Sequence, residues 1–130
     1  MRIYIIRGLP GSGKSTKAKT LNGIHLEADM FFYRDGEYCF DKTKVRDAHR
    51  WCQKTARQAM ESGMDVVIAN TFCEKREIQP YLDFAKATGH QVKVYTMKNR
   101  YGSIHGVPEE TIQRMSTRWE HYEGEETCVD

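Results

Sequence analysis

Residues 8–16 read GLPGSGKST, a complete GxxxxGKS spacing directly behind the β-branched run RIYIIR. Glycine at 8, 11 and 13 lets the backbone turn tightly, and the lack of Cβ atoms lets successive N–H groups converge on one anion. Lys14 adds a compact charge suited to β- and γ-phosphates, and the Ser15 hydroxyl suits Mg²⁺. A helix opening at Ser15 presents its positive end to the same phosphates. This is a Walker A phosphate-binding loop. Gly8, Leu9, Pro10, Gly11, Ser12, Gly13, Lys14, Ser15 and Thr16 form the expected cradle for ATP, with Ser15 as the metal ligand.

Asp29 is the next residue whose type and place invite chemistry. It follows the short run IHLE, at the end of an expected strand. A hydroxyl attacking a γ-phosphate must lose its proton, and a carboxylate facing the phosphate can take it. The other reading of Asp29 is a cap on the turn that follows. Asn70 and Thr71 close the next strand, VVIA, as expected substrate contacts. Lys98, Asn99 and Arg100 follow the last one, where Arg100 reads either as a lid arginine completing catalysis or as a solvated charge. Arg114 and Arg118 on a later helix, Arg114 as a substrate contact, are further lid candidates. His105 reads as local hydrogen bonding. Phe31 and Phe32 read as packing rather than a stacking platform, Trp51 and Trp119 as helix packing, and Asp35 and Asp41 as turn and cap residues.

The elements that must position these groups alternate in type. After the first strand and loop, residues 15–21 read as a helix stopped by Asn22 and Gly23. A second strand ends at Asp29. A long helix spans 42–62, with Asp41 as N-cap, Gly63 as terminator, and Val45, Ala48, Cys52, Ala56 and Ala59 mostly on one face. Residues 65–69 form a third strand, apolar almost throughout, as buried parallel strands are. A helix over 77–88 carries Pro80 in its first turn and Gly89 after its end. Residues 91–96 form a fourth strand, 98–107 a polar loop, and Pro108 opens a last helix to about 119. The acidic residues 123–130 read as frayed. The pattern predicts a four-stranded parallel sheet covered by helices, with ligands at the carboxyl ends of its strands.

Composition sets outer limits. The 130 residues suit a single domain, and a formal charge of +2 creates no global field that would demand a polyanion. No apolar run reaches membrane-spanning length, and the first hydrophobic residues read as a strand rather than a signal peptide. Cys39, Cys52, Cys73 and Cys128 show no zinc spacing and suit free thiols in a reducing cytoplasm. The third strand ends in Ala69 and Asn70, without the acid that motor and switch NTPases use there to hold Mg²⁺, and no NKxD run for guanine is present.

Taken in order, IIRGLPGSGKST, the AD-M-FF run, G-E-Y-x-F-D, AHRWC, VVIANTF and HGVPEETIQRMSTRWE resemble the polynucleotide-kinase-like P-loop kinases. Members of that family are often described simply as ATP-binding or AAA-type. The likeness runs from Arg2 to about Glu120. It implies an α/β three-layer sandwich of P-loop kinase type with a lid near residues 98–110. It also implies ATP on residues 8–16 and the hydroxyl-activating base at Asp29. Asn70 and Thr71 match a substrate-side strand end where several relatives carry Asp, and many relatives have an acid where Ala69 stands. The expected catalytic set is therefore Lys14, Asp29 and Arg100, with ATP and Mg²⁺ as cofactors and a nucleic-acid 5′ end as acceptor. A small-molecule hydroxyl kinase of the same fold is the alternative, and an ATP-sensing protein without transfer is the rival of another class.

Overall fold

The sheet has five strands, not four. The computed structural model describes residues 1–99 and 106–129; Arg100 and His105 lie outside them. The elements run β1 (Arg2–Gly8), α1 (Lys14–Ala18), β2 (Ile24–Leu26), a 3-10 turn (Ala28–Phe32), β3 (Tyr33–Arg34) and β4 (Glu37–Tyr38). A second 3-10 turn (Lys42–Lys44) leads to α2 (Val45–Glu61), β5 (Val66–Asn70), α3 (Lys75–Thr88), β6 (Gln91–Met97), α4 (Glu109–Thr117) and β7 (Glu126–Cys128). The sheet order is β2-β5-β1-β6-β7, and every neighbouring pair is parallel.

Strand alternation builds a core on each face of this sheet. Ile3, Ile5, Val66 and Ile68 pack with Cys52, Ala56 and Met60 of α2 and with Ile78 and Tyr81 of α3. Ile6, Val67 and Ala69 face the other way, onto Ala18 of α1 and Met97. All five β5 positions are buried, which explains the unbroken apolar run, because a central parallel strand is covered on both sides. Each large aliphatic side chain so buried contributes about 1.5–3 kcal/mol.

Several boundaries depart from the sequence reading. Helix α2 buries Ala48, Cys52, Ala56 and Met60 in an i, i+4 stripe, while Val45 is exposed. Asp41 caps the 3-10 turn before α2, accepting from the Thr43 N–H at 2.9 Å. A capping box between Glu74 and Glu77 starts α3 at Lys75. Pro80 therefore lies beyond the first turn, where it cannot donate to the Arg76 carbonyl. Phe32 is buried and Phe31 packs edge-on against it, as expected of packing residues. Asp35 and Gly36 both take positive φ, 51° and 81°, the requirement of a two-residue hairpin turn, here joining β3 to β4.

Within the acidic segment, residues 126–128 form a strand, correcting the frayed reading for them. β7 pairs with β6 from Tyr95↔Glu126 to Met97↔Cys128. Just before it, the Glu125 carboxylate accepts hydrogen bonds from the Thr96 hydroxyl and the Tyr122 N–H. It also forms a buried ion pair with Arg7 at 3.3 Å. Trp119 lies past α4 rather than packing a helix, and Arg7 stacks over its ring at 4.2 Å.

Candidate active site

The carboxyl ends of β1, β2 and β5 open onto one cavity of about 850 Å³. Its walls include Pro10 through Thr16, the Glu27–Ala28–Asp29 segment, Ala69, Asn70 and Thr71, and on the far side Gly106, Val107, Pro108, Thr111 and Met115. Three of the four expected strand ends converge there, while Lys98 and Asn99, just after β6, are not among the lining residues. The lid region reaches the cavity through residues 106–108 and α4.

The loop's local geometry follows from its glycines, which have two different jobs. Gly11 and Gly13 hold φ of 80° and 94°, a conformation that a side chain strains. Gly8 is needed for room: a Cβ there would lie 2.2 Å from the Ser12 hydroxyl oxygen and 3.1 Å from the Met97 carbonyl. Gly13 caps α1 without a side-chain bond, so the first-turn N–H groups are left for a ligand. The Ser12 hydroxyl is buried with no hydrogen-bond partner among the described residues. An orphaned donor beside unmet backbone N–H groups fits a phosphate ester.

Lys14 is partly buried, and its ammonium donates to the Leu9 carbonyl at 3.1 Å. Burial pulls its ammonium below the ordinary lysine value, opposed by the negative charges of Glu27 and Asp29. An anionic ligand would relieve that strain.

Sequence reasoning missed Glu27. The Ser15 hydroxyl donates to Glu27 Oε2 at 2.8 Å, and His25 Nε2 lies 2.5 Å from the same oxygen. Burial works to raise the Glu27 carboxyl, but the His25 and Ser15 hydrogen bonds and the Lys14 charge hold it below the usual range. The signal was available. His25, Glu27 and Asp29 alternate along an extended segment, Glu27 itself at φ −138° and ψ 143°, and alternate strand residues share a face.

Asp29 sits in the first 3-10 turn and lines the cavity, and the Tyr38 hydroxyl donates to its Oδ1 at 3.2 Å. The Tyr38 phenol is pushed up to about 12, by burial first and then by the Asp29 charge. It therefore keeps its proton across the working pH range. Asn70 is buried, and its Oδ1 accepts from the Ala28 N–H at 2.8 Å while its Nδ2 reaches Cys52 Sγ at 3.8 Å. Its amide thus clamps the end of β5 to the turn carrying Asp29 while the residue also lines the cavity. Thr71 is partly exposed in the cavity wall, and its carbonyl accepts from the Gly8 N–H.

The remaining cations divide. Arg114 is exposed and donates to Thr111 of its own helix at 3.2 Å; the α4 side chains that line the cavity are Thr111 and Met115. Arg118 and Arg76 both pair with Glu74. Lys98 lies over the Trp119 ring at 5.3 Å. Among the described residues no group of three or more His, Cys, Asp or Glu could hold a metal by itself, so a cation here would share Ser15 with phosphate oxygens. The four cysteines are free thiols, and no described helix is long and apolar enough to cross a membrane.

Residues 3–114 match the model of a family described as AAA domain. The chain belongs to that family, and its fold is that of the P-loop kinases. Over 136 aligned residues it is 35% identical to human NEDD4-binding protein 2, covering 93% of this chain but only 8% of that protein's length. Among solved structures, Kti12 of Chaetomium thermophilum in complex with ADP-AlF3 superposes with a TM-score of 0.69 at 13% identity, over 98% of this chain and 88% of that one. A sugar kinase from Janibacter sp. HTCC2649 gives 0.66 at 18% identity, over 100% and 84%. A Pnkp1/Rnl/Hen1 complex gives 0.57 at 17% identity, over 87% and 38%.

Proposed function

We propose that the protein is an ATP- and Mg²⁺-dependent kinase whose acceptor is the 5′-hydroxyl of a polynucleotide. One observation carries the reading. A carboxylate, Asp29, lines the same cavity as Lys14 and Ser15. A protein that only senses ATP has no need of an acceptor base there. Likeness to the polynucleotide-kinase-like sequences, and to the fold of the Pnkp1/Rnl/Hen1 complex, supports the choice of acceptor.

In this reading the loop N–H groups and the Ser12 hydroxyl grip the phosphates, and Lys14 neutralises charge that grows in the transition state. Glu27 accepts the hydrogen bond of the Ser15 hydroxyl, which leaves lone pairs of that oxygen for a cation and supplies the negative charge that β5 lacks at Ala69. Ser15 would hold Mg²⁺, which would supply charge neutralisation to the phosphates. Tyr38 fixes one oxygen of Asp29 by hydrogen bonding, and Asp29 takes the acceptor's proton. Arg100 is the candidate closing cation of the lid.

The test offers γ-labelled ATP with a 5′-hydroxyl oligonucleotide and, separately, a panel of small alcohols. Labelled oligonucleotide is expected. Asp29→Asn should lower transfer by about a hundredfold or more, the usual size of general-base catalysis, with ATP affinity by calorimetry barely changed. Collapse of ATP affinity together with activity would make Asp29 a metal or structural residue. Label on a small alcohol alone would move the acceptor to that class.

A further inference from the structure

A second groove adjoins the active-site cavity and has no part in the reading above. It is an open groove of about 690 Å³ whose lining includes Arg34 of β3, Phe40, Asp41, and Lys42 and Lys44 of the second 3-10 turn. Phe40 lines both this groove and the active-site cavity. It is 56% exposed, unlike Phe32, which is core. Phe40 is nevertheless held in place: its ring meets Phe32 edge-on at 5.1 Å and lies nearly parallel to Tyr38, at 15° and 6.4 Å. Tyr38 is the residue bonded to Asp29.

The charges of the groove are one-sided. Asp41 is its acidic wall residue, and that carboxylate is occupied by the Thr43 N–H and hydroxyl. Arg34, Lys42 and Lys44 are exposed, and among the described residues none of them forms an ion pair within 4 Å. Arg34 and Lys44 lie within the field of Asp41 but make no close pair with it. A fixed, exposed aromatic ring flanked by such cations is the combination that holds single-stranded nucleic acid, bases on the ring and phosphates on the cations. Peptide acids would satisfy the cations but leave the ring without a flat partner.

We propose that this groove carries the acceptor strand: the 5′-terminal nucleoside enters at Asp29, a neighbouring base stacks on Phe40, and the following phosphates run along Arg34, Lys42 and Lys44. The proposal rests on the polynucleotide reading and sharpens it. It explains how a chain of nearly neutral net charge could hold a polyanion, through a local patch instead of a global field.

Binding is the readout, so that turnover is not needed. The probe is a ten-nucleotide single-stranded 5′-hydroxyl DNA, fluorescein-labelled at its 3′ end, followed by anisotropy across a salt series. Lys42→Gln/Lys44→Gln, both on the exposed surface, should weaken binding and flatten the log–log salt slope by about 1.4, two contacts at about 0.7 each for single strands. Phe40→Ala should weaken binding by about 5-fold or more, and Phe40→Trp should restore it, as expected for stacking. Wild-type binding with unchanged affinity and slope in the double variant overturns the groove while leaving the kinase and its polynucleotide acceptor standing. Loss on charge removal with no effect of Phe40→Ala, in a protein of unchanged melting temperature, reduces the groove to a plain anion patch and overturns the stacked path. A wild-type protein that labels a small alcohol but does not bind the oligonucleotide overturns the acceptor reading and the groove with it.

Discussion

Arg7 and Lys14 stand on either side of one strand–loop junction, and the fold treats them in opposite ways. Arg7 is 0% exposed, and its guanidinium donates to the Phe72, Cys73 and Glu120 carbonyls and to Glu125. Trp119 covers its face. Lys14 donates to a neutral carbonyl, beside an orphaned serine and two carboxylates. Both cations feel burial pulling their pKa down, yet only Arg7 has been given a full set of partners. A satisfied buried cation is architecture, and an under-satisfied one beside a cavity awaits a ligand.

That contrast can be broken at either end. The largest effect is expected at Arg7. Arg7→Met leaves the buried Glu125 with only the exposed His121 beside it as a basic partner, and breaking such a buried pair costs about 3–5 kcal/mol. Urea unfolding should show it, and adding Glu125→Gln should recover part of the loss. Retained stability in the single variant would mean that the cluster holds nothing together.

Lys14→Ala should do the reverse. Transfer is expected to fall by about 10²–10³, the size seen when one charge-stabilising donor is removed, while the melting temperature stays where it was. A folded variant with undiminished transfer would end the parallel.

The smallest effect concerns Glu27. Its folded pKa is depressed, so its stabilising contribution is present above the ordinary glutamate value and is lost as pH falls through the lower folded value. Glu27→Gln should therefore cost stability at pH 7, about one hydrogen bond or roughly 1 kcal/mol, and cost less at pH 3, below the ordinary glutamate value. A difference that is the same at both pH values would mean that the Glu27 charge is not what Ser15 and His25 stabilise.

Local patterns carried much of this molecule in the sequence. The strand, glycine loop and helix are adjacent in the chain, so their geometry is written in consecutive residue types, and the β5 run announces a buried central strand. That Asp29 would line the cavity was legible, although β2 stops at Leu26 and Asp29 sits in the 3-10 turn after it rather than at the strand end. What escaped depended on distant partners. Residues 123–130 look like a solvated acidic tail because nothing nearby reveals that Glu125 will meet Arg7 and Thr96. Phe31 and Phe32 drew attention as a pair, whereas the exposed ring is Phe40, set apart by a hairpin whose register fixes Tyr38 beside Tyr33. Asn70 was chosen for its address, but burial commits its amide to Ala28 and Cys52.

β7 also has a consequence for colloidal behaviour. The sheet's two outermost strands, β2 and β7, are each three residues long, too short to template another chain effectively. Were residues 119–129 to detach, the seven-residue β6 would lose its cover along Tyr95 to Met97, next to Val92, already 39% exposed. A long, flat, partly apolar margin of that kind recruits further strands. The Arg7–Glu125 clasp thus guards against fibril-like self-association, and clipping the tail with protease should turn a clear solution turbid before the phosphate loop unfolds.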